Sequence, residues 1–275
     1  MDSSGPSQTA AGVALLRAVH QLVDGLPKIL DDAITPQLLD PAVRQRLMAS
    51  PLEYRSAEQM ALRSHVVVRS RYAEDRLADA VARRVGQYLL LGAGLDTFAH
   101  RQPDWARELR IFEVDHPASQ RWKRERLALA RIESPDNLIY VAADFERDRL
   151  SAQLAKAGFD DRAPVFISCL GVLMYLREET VRTLLELAGT RPVGSELVFT
   201  YSSRGKESRL AAAAAALGEP WLASIAPDQW SGMLRQAGFN QIEMVAAEEI
   251  AARYFTGRAD GLPAPRRGTI GVGVV

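Results

Sequence analysis

Seven short apolar segments, separated by helical stretches, constrain the fold of this chain more than any other feature of its sequence. Short apolar runs bounded by turn residues are typical of strands buried on both faces of a parallel sheet. The predicted strands are 87–91, 109–114, 138–141, 165–168, 196–201, 241–245 and 269–275. Strands that alternate with helices predict an α/β fold: a Rossmann-like, doubly wound and mostly parallel seven-stranded sheet with right-handed crossovers.

Helical periodicity accounts for much of the remaining chain and favours a single domain. Apolar residues recur at helical spacing before the first strand and between later strands, over 13–23, 57–85, 118–130, 151–157, 178–188 and 227–237. An alanine-rich helix lies within the insertion 202–226. We therefore expect a helical N-terminal cap (1–86), a ligand-binding core (87–201), a helical lid (202–226) and a C-terminal part of the sheet (227–275).

Composition disfavours several classes of function. Because 34 basic residues balance 34 acidic ones, no overall field favours nucleic acid or an anionic membrane. Cys169 is the only cysteine, so an internal disulfide is impossible, and the scattered histidines support no metal site. Arg17 interrupts the N-terminal apolar run, and no later run reaches the roughly 18 residues of a membrane span. We expect a cytoplasmic protein with a small-molecule substrate; the oligomeric state stays open.

A glycine loop follows the first predicted strand, where ligands bind in open α/β sheets. Gly92 and Gly94 let the backbone turn sharply and approach a ligand closely. A dinucleotide motif would need a third glycine at Thr97, and Asp96 would repel a pyrophosphate. The loop therefore favours a phosphate-free nucleoside that carries an ammonium group, although a plain tight turn is the alternative.

Acidic residues follow the next two predicted strands. Asp115 lies about 20 residues beyond the glycines, where a carboxylate typically binds the two hydroxyls of a ribose. Asp144 and Phe145 follow the third strand, where an acid can accept from an adenine amino group and an aromatic ring can pack on the base. Both aspartates could instead cap the helices that follow them. The three strand ends together predict a nucleoside site.

These motifs resemble the leucine carboxyl methyltransferase family, especially its bacterial branch of tetracenomycin-type polyketide O-methyltransferases. The matching segments are SRYAED at 70–75, LLLGAGLDTFAHR at 89–101, FEVDHPASQRWKRERL at 112–127, AADFE at 142–146 and LGVLMYL at 170–176. The resemblance implies S-adenosyl-L-methionine as the cofactor. It places Gly92 and Gly94 at the methionine part, Asp115 at the ribose and Asp144 with Phe145 at the adenine.

The same resemblance implies that an arginine pairs with the carboxylate of the cofactor. Arg69 holds the matching position, but Arg63 and Arg71 lie close by in the sequence, and a surface arginine is the alternative. One departure is clear, because many members of the family carry an acid where this chain has Leu170. The loss of that acid favours a small-molecule substrate over methylation of a protein phosphatase.

The predicted function is O-methyl transfer to a carboxylate or hydroxyl of a small, polyketide-like metabolite. Tyr175 and Tyr201, which follow the fourth and fifth strands, are candidates for orienting this acceptor. No catalytic base stands out, because His100 and His116 are more typical of capping or surface histidines. The lid would contribute Arg204, Lys206 and Trp221.

Two other functions stay open at this stage. A domain of this kind could bind the cofactor without catalysis, as a sensor or partner subunit, and the leucine at position 170 keeps that alternative alive. A nicotinamide oxidoreductase is less favoured, because it would need the third glycine that Thr97 replaces.

Overall fold

A seven-stranded sheet forms the centre of the molecule. The computed structural model describes residues 7–202 and 208–275. The strands are β1 (Gln87–Leu91), β2 (Arg110–Asp115), β3 (Leu138–Ala142), β4 (Val165–Cys169), β5 (Glu196–Thr200), β6 (Gln241–Val245) and β7 (Ile270–Val274). Their order is β3-β2-β1-β4-β5-β7-β6, with β7 antiparallel to β5 and β6 and all other pairs parallel. The predicted fold class is confirmed.

Helices precede the sheet and alternate with its strands. Those before β1 are α1 (Gln8–Val23), α2 (Thr35–Leu38), α3 (Pro41–Ala49) and α4 (Ala57–Ala82). Those after it are α5 (Pro117–Leu129), α6 (Leu150–Lys156), α7 (Glu178–Gly189), α8 (Arg209–Ala216), α9 (Gln229–Ala237) and α10 (Ala247–Tyr254). No helix in residues 7–202 or 208–275 is long and apolar enough to span a membrane.

Both faces of the sheet are covered by apolar clusters. Leu89 and Phe112 pack on one face with residues of α6, α7 and α9, whereas Tyr88 and Ile111 pack on the other with residues of α4 and α10. Alternate residues of each strand therefore enter different cores, as expected when a parallel sheet lies between two helical layers. Burial on both faces explains why the strands are continuous apolar runs in the sequence.

Several element boundaries differ from their predicted positions. The first helix begins five residues earlier than predicted, because the Ser7 side chain accepts from the Ala10 N–H and caps it. The helix predicted over 227–237 begins at Gln229 and ends, as predicted, before Gly238, which has a φ of 110°. The sequence patterns missed α10, a short helix whose apolar face is carried by few residues.

The N-terminal helices lie directly on the glycine loop. Leu95 of that loop packs into a small cluster with Ala14 and Val19 of α1. Ala10 also approaches Gly94 so closely that a Cβ at 94 would lie 3.4 Å from the Ala10 Cβ. The cap therefore helps to shape the site, while the predicted division of the chain at 86, 201 and 226 stays a prediction.

Candidate active site

A cavity of about 2170 Å³ opens at the carboxyl ends of the parallel strands. It lies where the strand order reverses between β1 and β4, the usual ligand crevice of such sheets. Typical small-molecule pockets measure roughly 300–1000 Å³. The cavity is therefore large enough for a nucleoside and a second, bulky molecule together.

The glycine loop forms the floor of this cavity. Gly92 and Gly94 have φ values of 70° and 51°, in the left-handed region that glycine tolerates. A Cβ at position 92 would lie 2.3 Å from Val172 Cγ2, so only glycine fits there. The N–H groups of Gly92 and Ala93 donate to the Val114 carbonyl at 2.8 and 3.1 Å. These bonds hold the loop against the end of β2.

Asp115 links the end of β2 to the glycine loop. Its carboxylate accepts from the Gly94 N–H at 2.5 Å and from the His116 N–H at 2.6 Å. Burial raises the pKa of Asp115, against the lowering effect of these two donors. The alternative that Asp115 caps α5 is wrong, because the His116 ring accepts from the Ala118 N–H and is the cap. Two acceptor positions of the carboxylate are left for a ligand in the cavity.

Asp144 and Phe145 line the cavity beyond the end of β3. The Asp144 carboxylate accepts from the Glu146 N–H at 3.0 Å, so it also closes the turn that follows. Phe145 is half-buried and packs against the core. Asp144 thus stabilises this turn and lines the cavity as well.

Arg69 stands out among the cations of α4. The neighbouring candidates are engaged elsewhere: Arg63 pairs with Asp24 at 2.7 Å, and Arg71 pairs with Asp75 at 2.7 Å. Arg69 is 9% exposed and lines the cavity. Within residues 7–202 and 208–275 its guanidinium has no hydrogen-bond or ion-pair partner, and burial lowers its pKa to about 10.

The Arg69 guanidinium lies against the loop that follows β4. A Cβ at Gly171 would lie 2.8 Å from both terminal nitrogens of Arg69. Leu170, the position where the family acid is missing, lines the same cavity. A buried cation is stable only when an anion or hydrogen-bond acceptors compensate it. This end of the cavity therefore fits the carboxylate of a ligand.

Thr97 connects the glycine loop to the N-terminal cap. Its hydroxyl donates to Asp32 at 2.8 Å and accepts from Arg17 at 3.1 Å and Arg101 at 3.0 Å. Arg17 also pairs with Asp96 at 2.8 Å. The carboxyl predicted to meet a ligand ammonium is thus already paired with an arginine of the cap. Burial acts to raise the pKa of Asp96, but neighbouring cations, Arg17 foremost, keep it below its ordinary value.

Replacing Thr97 with valine should lower the free energy of unfolding by about 2–4 kcal/mol, because the buried Arg17 and Asp32 and the half-buried Arg101 each lose a hydrogen-bond partner. Urea unfolding of the protein without ligand measures this loss. Thr183→Val is the matched control, because its hydroxyl is exposed and bonds within its own helix; its effect should stay within about 0.5 kcal/mol. Equal stabilities for the two variants would contradict the role assigned to Thr97.

Aromatic residues also line the cavity. Tyr175 packs edge-on against Trp221 of the predicted lid, with ring centroids 6.5 Å apart. Tyr201, which directly follows β5, is 8% exposed and packs at a tilt against Trp230, with ring centroids 5.9 Å apart. The predicted lid residues Arg204 and Lys206 lie outside the described residues.

Two features of the cavity escaped sequence reasoning. His65, on α4, lines the cavity and lies 3.2 Å from the Thr269 hydroxyl through its Nδ1. Glu219, after α8, accepts from the Gln8 N–H at 2.5 Å at the start of α1. Glu219 therefore fastens the segment after α8 to the cap and closes one wall of the cavity. Neither contact could be found from local pattern, because each joins residues about 200 positions apart.

Comparison with known proteins identifies the family. A family model described as leucine carboxyl methyltransferase matches residues 10–188, well over half of the chain. The chain belongs to the leucine carboxyl methyltransferase family. The resemblance drawn from its motifs is confirmed at this level, and the nicotinamide oxidoreductase alternative is not supported.

Relatives of this family member span nearly its whole length. YktD of Bacillus subtilis, named as an S-adenosyl-L-methionine-dependent methyltransferase, is 30% identical over 96% of both chains. SCO7813 of Streptomyces coelicolor, named in the same way, is 34% identical over 86% of this chain and 83% of its own. A DUF574 family protein from Streptomyces avermitilis has a similar structure, with a TM-score of 0.58 and 19% identity over 99% and 98% of the two chains. That likeness concerns the fold alone.

The residues of this leucine carboxyl methyltransferase family member fit S-adenosylmethionine on three observations. Arg69 is a buried cation without an anion among the described residues, and it lines the same cavity as the glycine loop. Asp115 has acceptor positions to spare beside Gly94. Phe145 offers an aromatic ring further along the sheet edge. The structure thus brings all six predicted binding residues to one cavity, while their individual roles stay predictions.

Proposed function

We propose that this protein is an O-methyltransferase that methylates a hydroxyl or carboxylate oxygen of a small, polyketide-like metabolite. The chain is an S-adenosylmethionine-dependent methyltransferase, and S-adenosylmethionine is its cofactor. The observation that carries the finer proposal is a single large cavity whose lining differs from place to place. The glycine loop and the buried Arg69 line it, and so do the aromatic side chains of Tyr175, Tyr201 and Trp221.

The proposed cofactor contacts follow from the positions of the polar groups. Arg69 would pair with the carboxylate of the methionine part, which supplies the anion that this buried guanidinium lacks. Asp115 would accept from the ribose hydroxyls, and Asp144 and Phe145 would contact the adenine. Bound in this way, the cofactor supplies an electrophilic methyl group on a sulfonium. The residues of the chain then need to hold an acceptor oxygen in line with that methyl group and to exclude water.

The acceptor would occupy the part of the cavity that aromatic side chains line. Tyr175 and Trp221 form a T-shaped pair that offers an apolar surface to a flat ring system, and Tyr201, which follows β5, lines the same cavity. The volume beyond that of a nucleoside suits a multi-ring molecule. Glu219 closes one wall of the cavity by its bond to the start of α1.

Calorimetry with S-adenosylhomocysteine and NADH, followed by turnover on polyketide acids and phenols, tests the proposal. We expect binding of S-adenosylhomocysteine, no binding of NADH, and methyl ester or methyl ether products from S-adenosylmethionine. Binding without turnover on any acceptor would favour the alternative of a non-catalytic cofactor-binding subunit. Methylation at nitrogen or carbon only would contradict the assignment to oxygen.

A further inference from the structure

His65 lies on the side of the cavity formed by β5 and β7, as its contact with Thr269 shows. It lies one helical turn before Arg69 on α4, and both line the cavity. Its Nδ1 is 3.2 Å from the hydroxyl of Thr269, the residue before β7. The Thr269 carbonyl in turn accepts from the Tyr201 N–H at 3.0 Å, beyond the end of β5.

The strand order fixes the direction in which His65 lies. The adenine and ribose candidates follow β3 and β2, at one edge of the sheet, and Arg69 packs against the loop after β4. The contact of His65 with Thr269 places it at β5 and β7, on the opposite side of Arg69 from the ribose acid Asp115. A molecule that approaches Arg69 from the side of Tyr201 therefore contacts His65.

The charges of the cavity favour a hydroxyl over a carboxylate as the acceptor. Among the described residues that line the cavity, two arginines are buried, and neither is left to pair with an acceptor carboxylate. Arg17 is paired with Asp32 and Asp96, and Arg69 is assigned to the cofactor carboxylate. The other arginines of the lining are exposed: Arg147, Arg177, Arg209, Arg266 and Arg267. A buried acceptor carboxylate would thus lack a cation, whereas a hydroxyl needs only a base.

We propose that His65 is the general base that removes the proton from a phenolic or alcoholic acceptor, with Thr269 holding its ring. This inference rests on the proposed function and narrows its acceptor to a hydroxyl. The acceptor oxygen forms a bond to the methyl carbon while the carbon–sulfur bond breaks, leaving its electron pair on sulfur. The hydroxyl proton moves to His65 Nε2, and the resulting imidazolium later releases it to water.

Two physical features suit His65 to this task. If Nδ1 carries the ring hydrogen and donates to the Thr269 hydroxyl, Nε2 is left as a free acceptor. Burial and, after it, the neighbouring charge of Arg69 lower the pKa of His65 to about 3, so the ring is neutral but only weakly basic without a ligand. A carboxylate bound to Arg69 offsets that charge and makes His65 more basic. Cofactor binding would thus prepare the base.

The His65→Asn variant tests the proposal, because asparagine can keep the bond to Thr269 while it removes Nε2. The probes are 1-naphthol and 1-naphthoic acid, which share a ring system but differ in the acceptor group. We expect kcat for 1-naphthol to fall roughly 10²- to 10⁴-fold, the range for loss of a general base. Methylation of 1-naphthoic acid, which is already ionised, should be unchanged within about threefold. An equal loss on both probes, or on neither, would overturn the proposal.

The matched control is His100→Asn, because His100 does not belong to the cavity lining and its Nε2 is 3.5 Å from the Tyr140 hydroxyl. It should leave both reactions and the affinity for S-adenosylhomocysteine as in the wild type. The His65→Asn variant should also keep that affinity, which separates a base from a residue that merely supports the fold.

Nitrogen NMR of the histidine rings tests the role of His65 without turnover. In the complex with S-adenosylhomocysteine we expect His65 to carry its hydrogen on Nδ1, and added 1-naphthol to shift the Nε2 signal. A ring that carries its hydrogen on Nε2 could not accept a proton there and would refute the proposal. Failure of the wild type to methylate either probe would count against the proposed function, whereas the NMR result judges His65 separately.

Discussion

The Arg69→Met variant is expected to bind S-adenosylhomocysteine about 30- to 1000-fold more weakly than the wild type, a loss of about 2–4 kcal/mol. Methionine keeps much of the packing of the arginine stem but removes the guanidinium that would pair with the ligand carboxylate. Without ligand the same variant should gain about 1 kcal/mol of stability, because it no longer buries a charge that lacks a partner among the described residues. Calorimetry and urea unfolding measure the two effects.

Arg63→Met is the matched control on the same helix. Arg63 is also buried, but two of its nitrogens donate to Asp24 at 2.7 Å. Its loss leaves a buried carboxylate short of a partner, so the variant should lose about 3–5 kcal/mol of stability. Under conditions in which the variant remains folded, its affinity for S-adenosylhomocysteine should change little. If both variants lost stability and Arg69→Met kept its affinity, Arg69 would be a structural arginine.

The contrast between these arginines marks what the sequence could and could not predict. All three arginines of this stretch lie on α4, so helical periodicity alone could not tell them apart. Only the tertiary contacts separate them: Asp24 comes from the end of α1, and Gly171 from the loop after β4. The resemblance named Arg69, and the structure supplies a physical reason for choosing it.

The strand-end residues were predictable for a different reason. Gly92, Asp115 and Asp144 each follow a strand, and the carboxyl ends of parallel strands meet at one edge whatever the details of packing. Their placement therefore depends on finding the strands, which the apolar runs mark clearly. Chain order alone was enough to bring them to one cavity.

The hydrogen bonds of Thr97 and the position of the candidate base His65 could not be predicted from the sequence. Thr97 was interpreted only as a missing glycine, yet its hydroxyl joins the loop to Asp32 in the cap, 65 residues away in the chain. His65 stood in a helix with no motif around it, and its partner Thr269 is separated from it by 204 positions. Such contacts depend on how the N-terminal helices and the last strand pack, which no short pattern encodes.

Asp115→Ala is expected to weaken binding of S-adenosylhomocysteine by about 2–4 kcal/mol, roughly 30- to 1000-fold. Two causes contribute to this loss. The variant removes the carboxylate proposed for the ribose hydroxyls, and it also frees the N–H groups of Gly94 and His116. Calorimetry gives the affinity, and thermal unfolding without ligand checks that the fold survives. Asp104→Ala, at an exposed ion pair with Arg107, should bind as the wild type does.

An analogue of S-adenosylhomocysteine without the ribose 2′-hydroxyl separates the two causes. If Asp115 accepts from that hydroxyl, the wild type should bind the analogue at least about tenfold more weakly than the parent ligand, the loss expected for a hydrogen bond to a charged group. The Asp115→Ala variant should then bind both ligands alike, because the partner of the hydroxyl is gone. If the variant instead discriminated between them as strongly as the wild type, Asp115 would act only by holding Gly94, and the ribose would need another partner. Comparing the two proteins with the two ligands thus distinguishes contact with the ligand from shaping of the loop, which a single substitution cannot do.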